Sequence, residues 1–173
     1  MKNFGGPAIC LDRNDINTDE IIPAKYLTEN SKEALKPYML EDLKLPGFDP
    51  ASEQLRRAKV IITRANFGCG SSREHAVWVF EVNDINVVIG ESFARIFRQN
   101  MFNCGMLAVE LKKEEIDRIF ALGDDLQIAV DLGANKVKAN SAKGEAAFSF
   151  ELNPFDRELV LAGGWLPYAD QKY

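Results

Sequence analysis

Residues 66–76 read NFGCGSSREHA, a short stretch that gathers two glycines, a cysteine, two serines, an arginine, a glutamate and the only histidine of the chain. Serine is a weak base at neutral pH and needs strong local positive potential before its oxygen can take a proton. The guanidinium of Arg73 could supply such potential and could also grip a carboxylate through two parallel hydrogen bonds, a geometry that lysine lacks. A helix opening at this point would add unpaired N–H groups and the positive end of its dipole. Gly68 and Gly70 carry no β-carbon to keep a ligand away. The same spacing supports a plainer reading. Ser71 with Glu74 three positions later fits a capping box, and the glycines suit a tight turn. A Ser–His–Asp hydrolase is a poor match, because the G-x-S-x-G elbow is absent and His75 has no separate acidic partner in the stretch. The phosphate-loop pattern G-x-x-x-x-G-K-[ST] is absent too. From residue types alone the turn reads as a site for a small anion.

The elements around it would place the turn at the carboxyl end of a parallel strand, where ligands of open α/β sheets gather. KVIIT, at Lys59–Thr63, has the composition of a buried strand, and a helix is expected from Ser72 to Asn83. Asn86–Gly90 and Met106–Leu111 repeat the strand signal, with helices expected over Phe93–Asn103 and Lys113–Leu122. Such alternation implies βαβ units and a parallel sheet. Gly6–Leu11 is a further short strand ahead of them, followed by the polar turn DRNDINTDE. Ile21–Leu27 reads as irregular. Residues 28–58 are polar, with a helical stretch near Ser31–Leu40 and breakers at Pro46, Gly47 and Pro50. Asp125–Asp131, Asn135–Ala139 and Ala146–Phe150 look like short antiparallel strands, and Pro154–Ala162 like a last helix stopped by Gly163–Gly164. The expected fold is α/β: a parallel layer packed with a smaller antiparallel sheet, in one domain over residues 1–173.

Composition narrows the function further. The chain has 173 residues and a net charge of −5, with acids and bases interspersed. That argues against broad binding to nucleic acid or an anionic membrane. No apolar run approaches the roughly 20 residues that span a bilayer, and the N-terminal stretch lacks the apolar segment of a signal peptide. A cytoplasmic location follows as the expectation. Cys10, Cys69 and Cys104 are odd in number and widely spaced, so neither a disulfide framework nor a C-x-x-C metal site is expected. With a single histidine, a histidine-built zinc site is out of reach. Any metal the function needs would sit on another chain.

Four ordered pieces resemble the small-subunit family of 3-isopropylmalate dehydratase (isopropylmalate isomerase) in the aconitase superfamily. They are DINTDEIIP at Asp15–Pro23 with KYL after it, NFGCGSSREHA, SFARIFRQN at Ser92–Asn100, and, more weakly, AGGWLPY near the end. The resemblance implies a swivelling β/β/α three-layer domain and a heteromeric hydro-lyase of leucine biosynthesis. Its large subunit would carry a four-iron four-sulfur cluster, with no cofactor in this chain. The implied reaction removes water from 2-isopropylmalate and returns it in the opposite sense to give 3-isopropylmalate. By the same resemblance Ser71 is the base, Ser72, Arg73 and Gly70 hold substrate carboxylate, and Asp19 is the acidic position of the first segment. Asp19 also fits a turn carboxylate bonded to its own loop. Glu74 and His75 read as supports of the turn, and Cys69 as packing within it. Arg95 and Arg98 share a helical face that could meet the large subunit or solvent.

Relatives that accept tricarboxylates place an arginine after the Tyr-Leu pair, where this chain has Thr28 and Glu29. That favours a small dicarboxylate with a branched apolar group, read by Thr28 within a mobile substrate-specificity loop region at residues 28–58. Val77 and Ala108 stand where prolines are common in relatives. Two alternatives stay open: a homoaconitase or alkylmalate dehydratase small subunit, and a non-enzymatic carboxylate-binding module.

Overall fold

A computed structural model describes residues 4–173. Seven strands form one sheet in the order β4-β3-β2-β1-β5-β6-β7. The parallel half comprises β1 (Gly5–Cys10), β2 (Val60–Ile62), β3 (Val87–Gly90) and β4 (Leu107–Glu110). β2 and β3 are buried at every position, as expected of strands covered on both faces. The antiparallel half comprises β5 (Gln127–Asp131), β6 (Lys136–Ser141) and β7 (Gly144–Ser149). In β6 the buried Val137 and Ala139 alternate with exposed Lys136 and Lys138, the period-two pattern of a sheet with one wet face.

β1 serves both halves. Gly5–Pro7 pair antiparallel with β5, and Ala8–Cys10 pair parallel with β2. The expected mixed α/β architecture is therefore present, with its two sheet portions meeting along β1.

Helices α3 (His75–Val82) and α4 (Arg95–Asn103) are the crossovers between β2, β3 and β4. α5 (Lys113–Phe120) leads away from β4, and α6 (Pro154–Ala162) and α7 (Trp165–Lys172) pack on α4. Two short helices, α1 (Thr18–Ile21) and α2 (Glu53–Arg57), complete the set.

Three expectations need correction. The helix after the glycine turn starts at His75 instead of Ser72, and its N-cap residue, Glu74, makes no capping hydrogen bond. The Ser71–Glu74 capping box is thus not formed. The cause lies in the preceding residues, which are drawn toward α1: Thr18 N–H donates to the Cys69 carbonyl at 2.8 Å, and Arg73 pairs with Asp19. The stretch near Ser31–Leu40 is a 3-10 helix, Glu33–Tyr38, because Pro37 inside it has no N–H for a regular α ladder. Gly163 does end α6, at φ 93°, but α7 begins two residues later. Pro167 lies in the first turn of α7, where its missing N–H costs nothing.

Residues 28–58, expected to be mobile, instead contribute to the core. Leu35, Leu40, Leu43 and Leu55 are buried, and Tyr26 stacks on Tyr38 with ring centroids 3.8 Å apart. The Tyr26 hydroxyl donates to Glu41 at 2.8 Å; burial, aided by that carboxylate, pushes its pKa up to about 12.

Candidate functional site

Three loops at the carboxyl edge of β1, β2 and β3 are stitched together by main-chain hydrogen bonds. Asp15 N–H donates to Ala65 O at 2.9 Å and Gly68 N–H to Ile16 O at 2.8 Å. On the other side, Phe67 N–H donates to Ser92 O at 3.2 Å and Ala94 N–H to Phe67 O at 2.9 Å. Two side chains complete the seam: Asn66 Nδ2 donates to Asp15 Oδ1 at 2.9 Å, and Ser92 Oγ accepts from Asn66 N–H at 2.8 Å. Three of the four sequence pieces singled out above, residues 15–23, 66–76 and 92–100, thus come together as neighbouring loops. Sequence order alone could not give their order in space; the parallel strand order does.

Within this frame the turn rises over α1. Asn17 caps α1 by accepting from Glu20 N–H at 2.9 Å, and the Glu20 carboxylate returns to Asn17 N–H at 3.1 Å. That fixes Asp19 in the first turn of α1, facing the turn at 66–76. Gly70 has φ 104°, and a β-carbon there would stand 3.1 Å from Thr18 Oγ1. Glycine therefore lets the turn lie directly on α1. Beyond it, Ser71 and Ser72 are exposed. Arg73 is mostly buried, its side chain 23% exposed, and its Nη1 is paired with Asp19 Oδ1, which is 63% exposed. Asp19, Gly70, Ser71, Ser72 and Arg73 therefore occupy one region. Thr28 is exposed beyond the 3-10 turn Ala24–Tyr26, and no hydrogen bond or ion pair joins it to residues 66–75 among the described residues.

The remaining candidates behave as supports. His75 leans on Trp78, ring centroids 4.7 Å apart. Burial, with Asp15 adding to it, raises the pKa of the Cys69 thiol and so disfavours the thiolate, the form that binds metals and attacks electrophiles. Cys10, in β1, is pushed up to about 12, first by burial and then by Asp124 and Asp12. Among the described residues no group of three or more His, Cys, Asp or Glu is arranged to hold a metal ion. No helix among them is long and apolar enough to cross a membrane.

The arrangement is a shallow platform: two exposed hydroxyls and an oriented guanidinium ahead of α3, whose Ala76 and Val77 amides already donate to Arg73 O and Glu74 O. It can hold a carboxylate and take up a proton beside it.

Sequence reasoning missed the contacts that stiffen this region. Arg13 pairs with Glu20, and Arg64 reaches Asp12, Glu91 and Asp117. Lys32 bonds Glu81 at 2.6 Å and lies over the Trp78 ring. Each joins residues distant in sequence; only Arg13–Glu20, seven positions apart across a turn, left a local trace.

Residues 12–114 match the family model of the aconitase C-terminal domain. The chain is 35% identical over 170 residues to the 3-isopropylmalate dehydratase small subunit of Pseudoalteromonas translucida, covering 92% of this chain and 84% of that one. It is 33% identical over 177 residues to the small subunit of the same name from Marinobacter nauticus, covering 91% of this chain and 81% of the other. The crystal structure of 3-isopropylmalate dehydratase from Methanocaldococcus jannaschii superposes with a TM-score of 0.80 at 28% identity, over 99% of this chain and 95% of that one.

Proposed function

The chain belongs to the aconitase C-terminal domain family as the small subunit of a 3-isopropylmalate dehydratase, and from that premise we propose that Ser71 is the base of its hydro-lyase reaction. The substrate is 2-isopropylmalate or its 3-isomer, interconverted by loss and return of water. The proton to be removed lies on a carbon next to a carboxylate. Ser71 Oγ, free of any capping role, takes it, while Arg73 and Ser72 hold the carboxylate that gains negative character. Asp19 holds the Arg73 guanidinium in place from α1. The positive end of the α3 dipole lies just beyond Arg73 and adds to the potential there.

Departure of the hydroxyl calls for a Lewis acid, which a four-iron four-sulfur cluster supplies in this superfamily. The residues of this chain do not fit one: its three cysteines stand on β1, in the turn and at the end of α4, and two have thiols raised away from ionisation. In this reading the large subunit would hold the cluster, and the small subunit contributes the base and the carboxylate grip.

Thr28 and Glu29 lie where a tricarboxylate-reading family member carries a cation. An exposed glutamate there repels a third carboxylate and leaves room for an apolar branch. Each methylene of such a branch is worth about 1–3 kcal/mol in discrimination.

The observation that carries it is the pairing of Arg73 with Asp19 beside two exposed serines that no structural role consumes. The experiment is Ser71→Ala, assayed with the large subunit under anaerobic conditions by ultraviolet absorbance of the unsaturated intermediate. Turnover should drop by about 10²–10⁴-fold, with assembly and substrate affinity close to wild type. Wild-type turnover from this variant reassigns the base.

A further inference from the structure

A groove of about 420 Å³ lies on the far side of Glu74, between α3, α4 and the junction of α6 with α7. Glu74, Trp78 and Glu81, one helical face of α3, form one wall, and Trp165 and Leu166 the other. Its surroundings are unusually apolar for a water-facing surface: Leu166 is 75% exposed, Ile96 54% and Trp165 45%. Of the described residues, the exposed large hydrophobics all fall on α4, α6, α7 and the C-terminal tyrosine. Nothing in the proposed chemistry uses them.

Charge says what fits there. Lys32 is committed to Glu81 at 2.6 Å and lies over Trp78, 5.5 Å from the ring centroid. Glu74 faces the same space and makes no ion pair among the described residues. The groove therefore sets two carboxylates, Glu74 and Glu81, against the single ammonium of Lys32, which feels both, and keeps an excess of one negative charge beside tryptophan and leucine. A cation carried on an apolar flank is complementary to it.

Position says which molecule brings that cation. Glu74 directly follows Arg73, and Phe97 of α4 packs beneath Gly68 of the catalytic turn. A subunit that carries its reacting group to Ser71 must lie over this turn, and the groove begins at Glu74, three residues after Ser71.

We propose that this groove is a docking site for the large subunit, receiving a segment in which a lysine or arginine stands next to apolar side chains. The inference rests on the subunit reading above. The cation meets Glu74; the apolar flank covers Trp165 and Leu166.

The test uses Leu166→Glu and Glu74→Lys, each checked by circular dichroism and thermal melting, titrated against the purified large subunit by calorimetry, with turnover measured as a function of small-subunit concentration. Leu166 points into solvent, so its substitution should leave the fold intact. Each variant should bind at least about tenfold more weakly, and Glu74→Lys should also flatten the dependence of binding on salt. With Leu166→Glu, kcat should return to the wild-type value at saturating small subunit, a behaviour that damage to the active site would not show. Ser71→Ala provides the contrast, with wild-type affinity and lost turnover. Wild-type affinity in both groove variants overturns the docking site while leaving the enzyme assignment standing. A change confined to self-association of the chain, seen by sedimentation, overturns it in favour of a second copy. Failure of the unmodified chain to bind any large subunit is a different result, and it removes the subunit reading itself.

Discussion

Arg73 shows what a residue can reveal by its type and what it cannot. An arginine beside two serines announces a carboxylate site, because its planar fork matches a carboxylate in a way lysine does not. Its partner, Asp19, lies 54 positions earlier, and only the fold brings them together. In the free subunit the guanidinium is oriented but incompletely satisfied, one nitrogen paired with a carboxylate that is itself largely exposed. A substrate carboxylate can add to the remaining N–H groups. Arg73→Lys keeps the charge and loses the second hydrogen bond and the reach to Asp19. Steady-state kinetics should show KM raised by about tenfold or more, since a charge-assisted hydrogen bond contributes roughly 1.5–3 kcal/mol, with a smaller change in kcat. An unchanged KM would remove the carboxylate grip from Arg73.

At the level of elements, the strands were legible, and so were the starts of α5 at Lys113 and α6 at Pro154, whereas the starts of α3 and α4 were not. β2, β3 and β4 appear within one residue of where runs of Val, Ile and Leu place them, because burial on both faces leaves a continuous apolar signal. Helix starts depend on which tertiary contacts hold the preceding residues, so α3 opens three residues later than Ser72. α7 was hidden by its own Gly-Gly and Pro, residues that break helices in their interior but are tolerated before and within a first turn. Val77 is a related case. Its N–H donates to Glu74 O at 2.9 Å, a bond that the proline of relatives would lack. The turn itself allows a sharper test. Gly68 has φ 81°, and a β-carbon there would enter the Phe97 ring, which sits under the turn; Gly47 has φ 76° and open space around it. Gly47→Ala carries only the backbone cost, about 1 kcal/mol. Gly68→Ala adds overpacking of about 1–3 kcal/mol. Urea unfolding should therefore separate the two variants by about that second amount, and equal destabilisation would mean that Phe97 moves aside freely.

Across the whole molecule, the carboxyl edge of the parallel strands carries the site, and its loops are anchored both by buried Leu11, Ile16 and Phe67 and by a charged fastening. Arg64, just past β2, provides it. Its side chain is 16% exposed and reaches Asp12 beyond β1 at 2.7 Å, Glu91 beyond β3 at 3.6 Å and Asp117 on α5 at 2.6 Å. Its guanidinium also lies 4.5 Å from the centroid of Phe120. One cation thus ties three strand ends and a helix, a role invisible in sequence because its partners are scattered over more than a hundred positions. The pair with Arg64, followed by Lys113, lowers the Asp117 pKa below its ordinary 3.8. A carboxyl group whose folded pKa is depressed contributes stability that is present above the unfolded value and lost as pH falls through the folded one. Arg64→Gln should therefore lower the melting temperature near neutral pH by a few degrees, on the order expected for a partly exposed network in a chain of this size. The difference from wild type should shrink as the pH is taken below about 3.8 and Asp117 takes up its proton. A gap that stays constant down to the acid limit would mean that Arg64 acts through its packing on Phe120, and that the charges at this edge contribute nothing to holding it.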